Sequence, residues 1–397
     1  MRKIRLLMLV FLVVAAVSTV GAQVETEPII VLNEGDLWAW DGSGKGLEQK
    51  TFWGYNQEPV LSPDGQQVAY MAWSAITVDA LTREGAIGGG EVPGDIKVFE
   101  VANQQEIVIA GQPPEASFFT PGVADKAVIR SKPVWSPDGK QLAWTEYDIP
   151  GDGLSRIMTY DFATQTTQTL ISPLPAQAGV PVPVEITWGS SGIVVRSTTP
   201  YMNPDSSTVF TSTFVDSFLV YSVDGTQQGI IQVLQTEDRF MTDFILVNYQ
   251  DLEYIGVQYN TGEWDLIDPL SGESQPAPGL PELYCTSAPE KSLSIAVWPD
   301  GETSGVEYQL LDVDGNAVGA PVDMSSDFEG RIALSPSGGA LAYVQYDPQA
   351  SQYDSSIIIW NNGEVSARFE VNPRDFSFLW GPTAWRIRGE KSWGSPS

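Results

Sequence analysis

Glu58-Pro59-Val60-Leu61-Ser62-Pro63-Asp64-Gly65-Gln66-Gln67-Val68-Ala69-Tyr70 returns as Lys132-Pro133-Val134-Trp135-Ser136-Pro137-Asp138-Gly139-Lys140-Gln141-Leu142-Ala143-Trp144. A third copy, Arg331-Ile332-Ala333-Leu334-Ser335-Pro336-Ser337-Gly338-Gly339-Ala340-Leu341-Ala342-Tyr343, keeps Ser-Pro and Gly but loses Asp. Each copy reads as a short strand, a tight turn and an alternating apolar strand. Pro presets φ, Asp bonds to its own backbone two residues on, and Gly accepts positive φ. Looser copies lie at 186–195, 285–296 and 378–387.

Two further strands follow each copy. They are predicted at 95–101 with 105–109, 156–162 with 167–171, and 218–223 with 229–234. Asp224-Gly225, Ser271-Gly272, Asp314-Gly315 and Asn362-Gly363 supply the second turn, and Asp-Gly or Asn-Gly between apolar runs marks a hairpin. Four antiparallel strands, repeated, make a propeller blade. Full units begin near Pro59, Pro133, Ile186, Phe244, Cys285 and Ile332, the Phe244 unit being the least regular. The piece at 376–388 supplies one strand pair, and 29–32 with 36–40 supplies another. Joined, they close the ring and remove its free edges. The reading is an all-β β-propeller of seven four-stranded blades with one composite blade; six and eight are the alternative counts. No helix-period stretch competes with it after Ala22.

Composition narrows the function. The 397 residues are 42% hydrophobic, and 13 Trp, 14 Tyr and 15 Phe can fill a large core. Lys plus Arg is 21 against 50 Asp plus Glu, a net charge of −29. That excess argues against nucleic acid and anionic membrane as partners, since both need a basic footprint. With no histidine, His-based zinc sites and Ser-His-Asp triads are excluded. One cysteine, Cys285, permits no internal disulfide, and on a predicted inner strand it reads as an inert buried hydrophobe.

The first segment reads as an export signal. Arg2, Lys3 and Arg5 precede an apolar stretch from Leu6 to Val20, and Val20-Gly21-Ala22 offers small residues for cleavage. Loss of those three positive charges takes −29 to −32 in the mature chain. The expected organisation is a signal peptide at 1–22, one propeller domain at 23–390 and a tail at 391–397. The expected location is secreted or periplasmic, with retention as a membrane anchor as the alternative.

Ser-Pro-Asp-Gly-Gln-Gln-Val-Ala-Tyr at 62–70 and Ser-Pro-Asp-Gly-Lys-Gln-Leu-Ala-Trp at 136–144 resemble the WD-like propeller repeats of periplasmic TolB-type proteins. They are similar also to the propeller domains of prolyl-oligopeptidase-like peptidases. The resemblance covers nearly all of the mature chain as architecture and implies a propeller fold, not an activity. Two departures stand out. TolB-type proteins carry an extra N-terminal domain, whereas only residues 23–58 separate the signal from the first repeat here. The peptidases carry a hydrolase with Gly-x-Ser-x-Gly, and this sequence has neither that motif nor a histidine.

Loop lengths point to a face. The 1–2 and 3–4 turns are short, while 73–94, 148–155, 197–217 and 346–355 are 2–3 loops and 111–131 and 172–184 link blades. Long loops in a compact domain carry function or disorder. This face would present Trp73, Phe118, Phe119, Tyr147, Tyr201, Met202 and Tyr353 to a protein or carbohydrate partner. The alternative is that these side chains pack down as loop anchors. Asp312-Val313-Asp314-Gly315 spaces carboxylates as some calcium loops do but reads as a hairpin turn, as do Asp64 and Asp138. Gly88-Gly89-Gly90 lacks the Lys-Ser/Thr of a phosphate cradle. No cofactor is required by this reading; calcium is the one that so acidic a surface admits. The expected function is a non-enzymatic binding or scaffold propeller engaging a protein, carbohydrate or cell-envelope component through the long-loop face. The alternative is a secreted polysaccharide hydrolase or lyase using carboxylates or Tyr.

Overall fold

The computed structural model describes residues 29–40, 46–85, 92–101, 103–120, 123–151, 155–174, 184–200, 214–234, 238–249, 252–261, 263–276, 294–299, 306–311, 322–324, 328–335, 340–347, 354–361, 364–371 and 376–380. They form antiparallel sheets that succeed one another along the chain. The first joins both ends of the described chain: Glu48–Gln49, Asp36–Trp40, Ile29–Asn33 and Phe376–Trp380, in that spatial order. The second is Asn56–Leu61, Gln67–Trp73, Gly94–Glu100 and Gln105–Ala110. The third pairs Ala127–Arg130 and Val134–Trp135 with one long strand, Gln141–Ile149, followed by Arg156–Asp161 and Thr166–Ile171. The fourth is Ile186–Gly189, Gly192–Pro200, Phe214–Tyr221 and Gln227–Leu234. The fifth is Met241–Tyr249, Leu252–Tyr259, Trp264–Ile267 and Ser274–Pro276. The sixth shows three strands, Ser294–Pro299, Val306–Leu311 and Val322–Met324. The seventh is Phe328–Leu334, Ala340–Asp347, Asp354–Asn361 and Glu364–Val371.

Alternation along the second strand of each sheet drives the stacking. Successive side chains point to opposite faces, so a run apolar at every position must be covered on both sides. Ile30 and Leu32 pack on Val68, Tyr70 and Ala72 of the second sheet, while Ile29 and Val31 pack on Val344 and Ile357 of the seventh. Ala69 turns the other way, onto Leu142 and Trp144 of the third sheet. Ala143 faces Ile193 and Val195 of the fourth, and Val194 faces Ile255 and Val257 of the fifth. Each fully buried Ile, Phe or Leu side chain stabilises by about 2 kcal/mol. Sheets stacked face to face in sequence order are the arrangement of propeller blades. The outer strands Gln105–Ala110 and Thr166–Ile171 lie mostly exposed, which their Thr, Gln and Glu content suits.

The repeat turn forms as its residues dictate. Ser62 Oγ donates to Asp64 Oδ1 at 2.6 Å, and that oxygen also accepts the Gln66 N–H at 3.0 Å. Ser136 and Asp138 repeat this at 2.8 Å, with the Lys140 N–H at 3.1 Å. Gly65 and Gly139 both take φ +69°, a conformation that a side chain strains. These turns therefore spend Asp64 and Asp138 on local hydrogen bonds.

Three sequence expectations change. The 2–3 connection of the second sheet holds a helix, Ala75–Glu84, where no helix was expected. Thr77 Oγ1 donates to the Pro93 carbonyl at 2.7 Å and ties its first turn to the end of the same connection. The 111–131 segment is more than a link, for it contains a hairpin, Ser117–Thr120 with Val123–Asp125, and the inner strand Ala127–Arg130. Pro133 cannot donate a ladder bond, so the inner strand breaks at 131–133, where Ser131 exchanges bonds of 2.9 Å with Thr145 through N–H and Oγ. The composite sheet divides one strand to three, not two to two. Phe376–Trp380 pairs directly with Ile29–Asn33, and the N-terminal part adds Glu48–Gln49. The expected export segment, Cys285, the 312–315 and 88–90 runs and the 391–397 tail lie outside the described residues.

Candidate functional site

The long connections leave the second and third sheets from one edge, and the link from the first sheet joins them there. Asp36, at the start of a strand of the first sheet, organises that link. Its Oδ1 accepts the Thr51 hydroxyl at 2.9 Å and the backbone N–H groups of Trp53 and Gly54 at 2.8 and 3.0 Å. Asn56 Nδ2 reaches the same oxygen at 3.2 Å. Held this way, the link sets Tyr55 against Trp73, stacked at 5.5 Å and 18°, with Trp53 edge-on to Tyr55 at 6.1 Å. Trp53 Nε1 closes the cluster by donating to the Trp73 carbonyl at 2.9 Å.

Beside this aromatic cluster lies a charged one. Arg130 Nε donates to Glu146 Oε2 at 2.8 Å with both side chains about 6% exposed. Its terminal nitrogens reach the carbonyls of Gly94 at 2.8 Å and Gly111 at 3.0 Å, so one guanidinium joins the second and third sheets. Trp144 Nε1 donates to the same Glu146 oxygen at 3.0 Å. Arg156 holds the other oxygen at 2.9 Å and grips Asp148 with two bonds of 2.8 Å. Its hydrogen bonds keep the Asp148 carboxyl below the usual carboxylate range. Asp95, facing the same region, is pushed the other way by burial, against the pull of Arg130 and Lys97. Gln112 completes the seam, donating to Gly94 and Val128 carbonyls at 2.8 and 3.0 Å and accepting the Val128 N–H at 2.8 Å. The fourth sheet repeats the theme in Arg196, which meets the fully buried Asp216 at 3.2 Å and Glu185 at 3.7 Å.

The sequence candidates divide. Trp73 is half-buried and stacked on Tyr55, and the helix that starts two residues later touches the hairpin strand carrying Phe118 and Phe119. Phe118 is half-buried. Tyr147 lies at this edge too, opposite Ile129, but at 5% exposure it is a core residue with little surface for a partner. Its strand is covered on both faces, which the loop assignment did not foresee. Tyr201, Met202 and Tyr353 lie outside the described residues. Sequence reading missed Trp53, Tyr55, Arg130, Glu146 and Arg156. Charged residues interrupting otherwise apolar strands were the available signal for the last three. Among the described residues, no group of three acidic or Cys side chains is arranged to hold a metal. No helix among them is long and apolar enough to cross a membrane.

No protein-family model and no curated protein matches the chain. Among solved structures it is similar to TolB from Acinetobacter baumannii, at 12% identity and TM-score 0.39, over 90% of this chain and 67% of that one. It is similar to an oligogalacturonate lyase from Vibrio parahaemolyticus, at 9% identity and TM-score 0.43, over 78% and 80%. It is similar also to the β-propeller domain of the Trilobed protease from Pyrococcus furiosus, at 11% identity and TM-score 0.41, over 79% and 83%. Likeness at this level carries no argument about activity, and the propeller architecture rests on the sheets and their packing.

Proposed function

We propose that this chain is a closed seven-bladed propeller, exported from the cytoplasm, that binds a protein or cell-envelope component without catalysing a reaction. Among the described residues, seven successive sheets of three or more strands, with the first built from both ends of the described chain, support the count and the closure. The basic, apolar and small-residue order of residues 1–22 supports export. One observation carries the binding reading: the helix, the hairpin and the Trp53–Tyr55–Trp73 cluster gather at a single edge. Two of the buried carboxylates are engaged rather than poised. Glu146 and Asp216 are held by arginines, an arrangement that fixes structure, and Asp95 is the carboxyl there that burial raises.

Cross-linked capture from the native envelope and medium tests the proposal. The bait is the chain from Gln23 onward, beside a variant with 74–93 replaced by a short Gly-Ser turn and shown by circular dichroism to stay folded. A partner retained by the first and lost by the second supports the reading. No partner, or one held equally by both, overturns it. Polysaccharide turnover by the same preparations would assign the hydrolase or lyase reading instead.

A further inference from the structure

We infer that a cleft over the outer strands of the second sheet, adjoining the long-loop edge through Trp53, is a binding site for a neutral pyranose sugar. The cleft measures about 330 Å³, at the lower end of ligand-pocket sizes. Its walls include Lys50, Phe52 and Trp53 from the link, and Lys97, Gln104 and Glu106 from the second sheet and its outer turn.

Phe52 is 79% exposed, the most exposed of the large apolar side chains among the described residues. A free ring would fold onto the protein to leave water. The backbone that carries Phe52 is fixed on both sides. The Thr51 hydroxyl and the Trp53 N–H are both fixed on Asp36, so the backbone on either side is anchored. The cleft therefore carries a solvent-facing Phe52 ring on an anchored backbone, with Trp53 in the same wall.

The polar wall selects the ligand. Lys50 and Lys97 keep only 11% and 12% of their side chains exposed, and each is paired, to Glu48 at 2.9 Å and Glu106 at 2.8 Å. Lys97 Nζ also lies 5.5 Å from the Trp53 ring centroid. The two ammonium groups and two carboxylates balance locally in a chain of net charge −29. An anion would have to displace those carboxylates and approach against the field of the whole molecule. A purely apolar ligand would cover charged groups without offering them hydrogen bonds. A pyranose meets both demands. Its C–H face lies on the Phe52 ring, and its hydroxyls accept from lysine, do either with Gln104 and donate to Glu106, which already accepts from Tyr70 and Lys97.

Isothermal titration of the purified protein with maltose, cellobiose, lactose and N,N′-diacetylchitobiose tests this, with digalacturonate as the anionic arm. At least one neutral disaccharide should bind more tightly than about 10 mM and weaken about tenfold or more in Phe52→Ala. Because the Phe52 ring is in water, thermal unfolding of that variant should match the parent. Replacement of 74–93, none of whose described residues lines the cleft, should leave sugar binding intact, so this inference and the edge reading fail independently. No neutral sugar bound, binding unchanged in Phe52→Ala, or binding of digalacturonate alone overturns the inference.

Discussion

Glu58 and Lys132 hold the same position in consecutive repeats, and their side chains meet at 3.8 Å. The register of the repeat in sequence is thus the register of the sheets in space. The Trp135 indole N–H donates to the Val60 carbonyl at 3.1 Å, and Pro63 lies against Gly139, so strand and turn of one repeat touch their counterparts in the next.

This pairing predicts a charge-swap cycle. Glu58→Lys should destabilise by about 0.5–1 kcal/mol, since both side chains are partly exposed. Adding Lys132→Glu should restore most of the loss. Urea unfolding of both single variants and the double variant measures it, and strictly additive losses would show that the two residues do not interact.

Glu146 carries a larger expectation. Glu146→Gln keeps the shape but removes the carboxylate that Arg130, itself about 6% exposed, bonds directly. Breaking a buried pair costs about 3–5 kcal/mol. Asp148→Asn, at a carboxylate with a 54% exposed side chain, should cost under about 1 kcal/mol. Equal losses for the two in chemical unfolding would contradict this ordering.

Acid should weaken the fold through the turn carboxylates. The Ser222 hydroxyl and the Thr226 N–H pull Asp224 down to about 2, and the Ser136 hydroxyl and the Lys140 N–H lower Asp138. The unfolded chain takes up these protons first, near 3.8. Their stabilisation is therefore complete above that value and is lost as pH falls toward about 2. Ser222→Ala should move the Asp224 carboxyl upward in a carbon-detected NMR titration.

Asp95 has the opposite sign. Burial raises its carboxyl, so the folded chain binds the proton more readily than the unfolded one and ionisation costs stability as pH rises. Asp95→Asn should raise the melting temperature at pH 7 and leave it unchanged at pH 3. A variant no more stable at pH 7 would remove burial as the governing cause.

Closure can be probed at the composite sheet. Ile29–Asn33 is sandwiched between Asp36–Trp40 and Phe376–Trp380 and apolar on both faces. Ending the chain after Asp375 should expose that strand as an open edge, lower the melting temperature sharply and promote association. Size-exclusion chromatography and circular dichroism report both. A truncated chain as stable as the parent and no more associated would mean that the C-terminal strand closes nothing.

The strand pattern was largely legible because its causes are local. Ser-Pro-Asp-Gly makes its turn from its own side chains, and period-2 alternation says which strands are covered on both faces. The Ala75–Glu84 helix escaped because its residues include Ile76, Thr77 and Val78, which favour strand, and because Thr77 is anchored through the distant Pro93 carbonyl. The composite sheet was legible as an idea but not in its division. Whether 29–33 is a second or a third strand depends on what pairs beside it, and its partner lies at the far end of the chain.

The candidate site was legible only as an edge. Loop lengths and aromatic content point to the side where chain is spent, since both are properties of consecutive residues. Which aromatic ring faces water is a property of neighbours. Tyr147 disappears between sheets while Trp73 stacks on Tyr55 and Phe52 stands in solvent, because packing of one sheet on the next and the anchoring of the link on Asp36 choose among them. The same holds for charge. Composition announces a strongly acidic protein, yet the arginines that matter are set by strand register, which brings Arg130 to Glu146 and Arg156 to both Glu146 and Asp148. Short-range chemistry decides turns and strands; long-range pairing decides what those strands bury and what they offer.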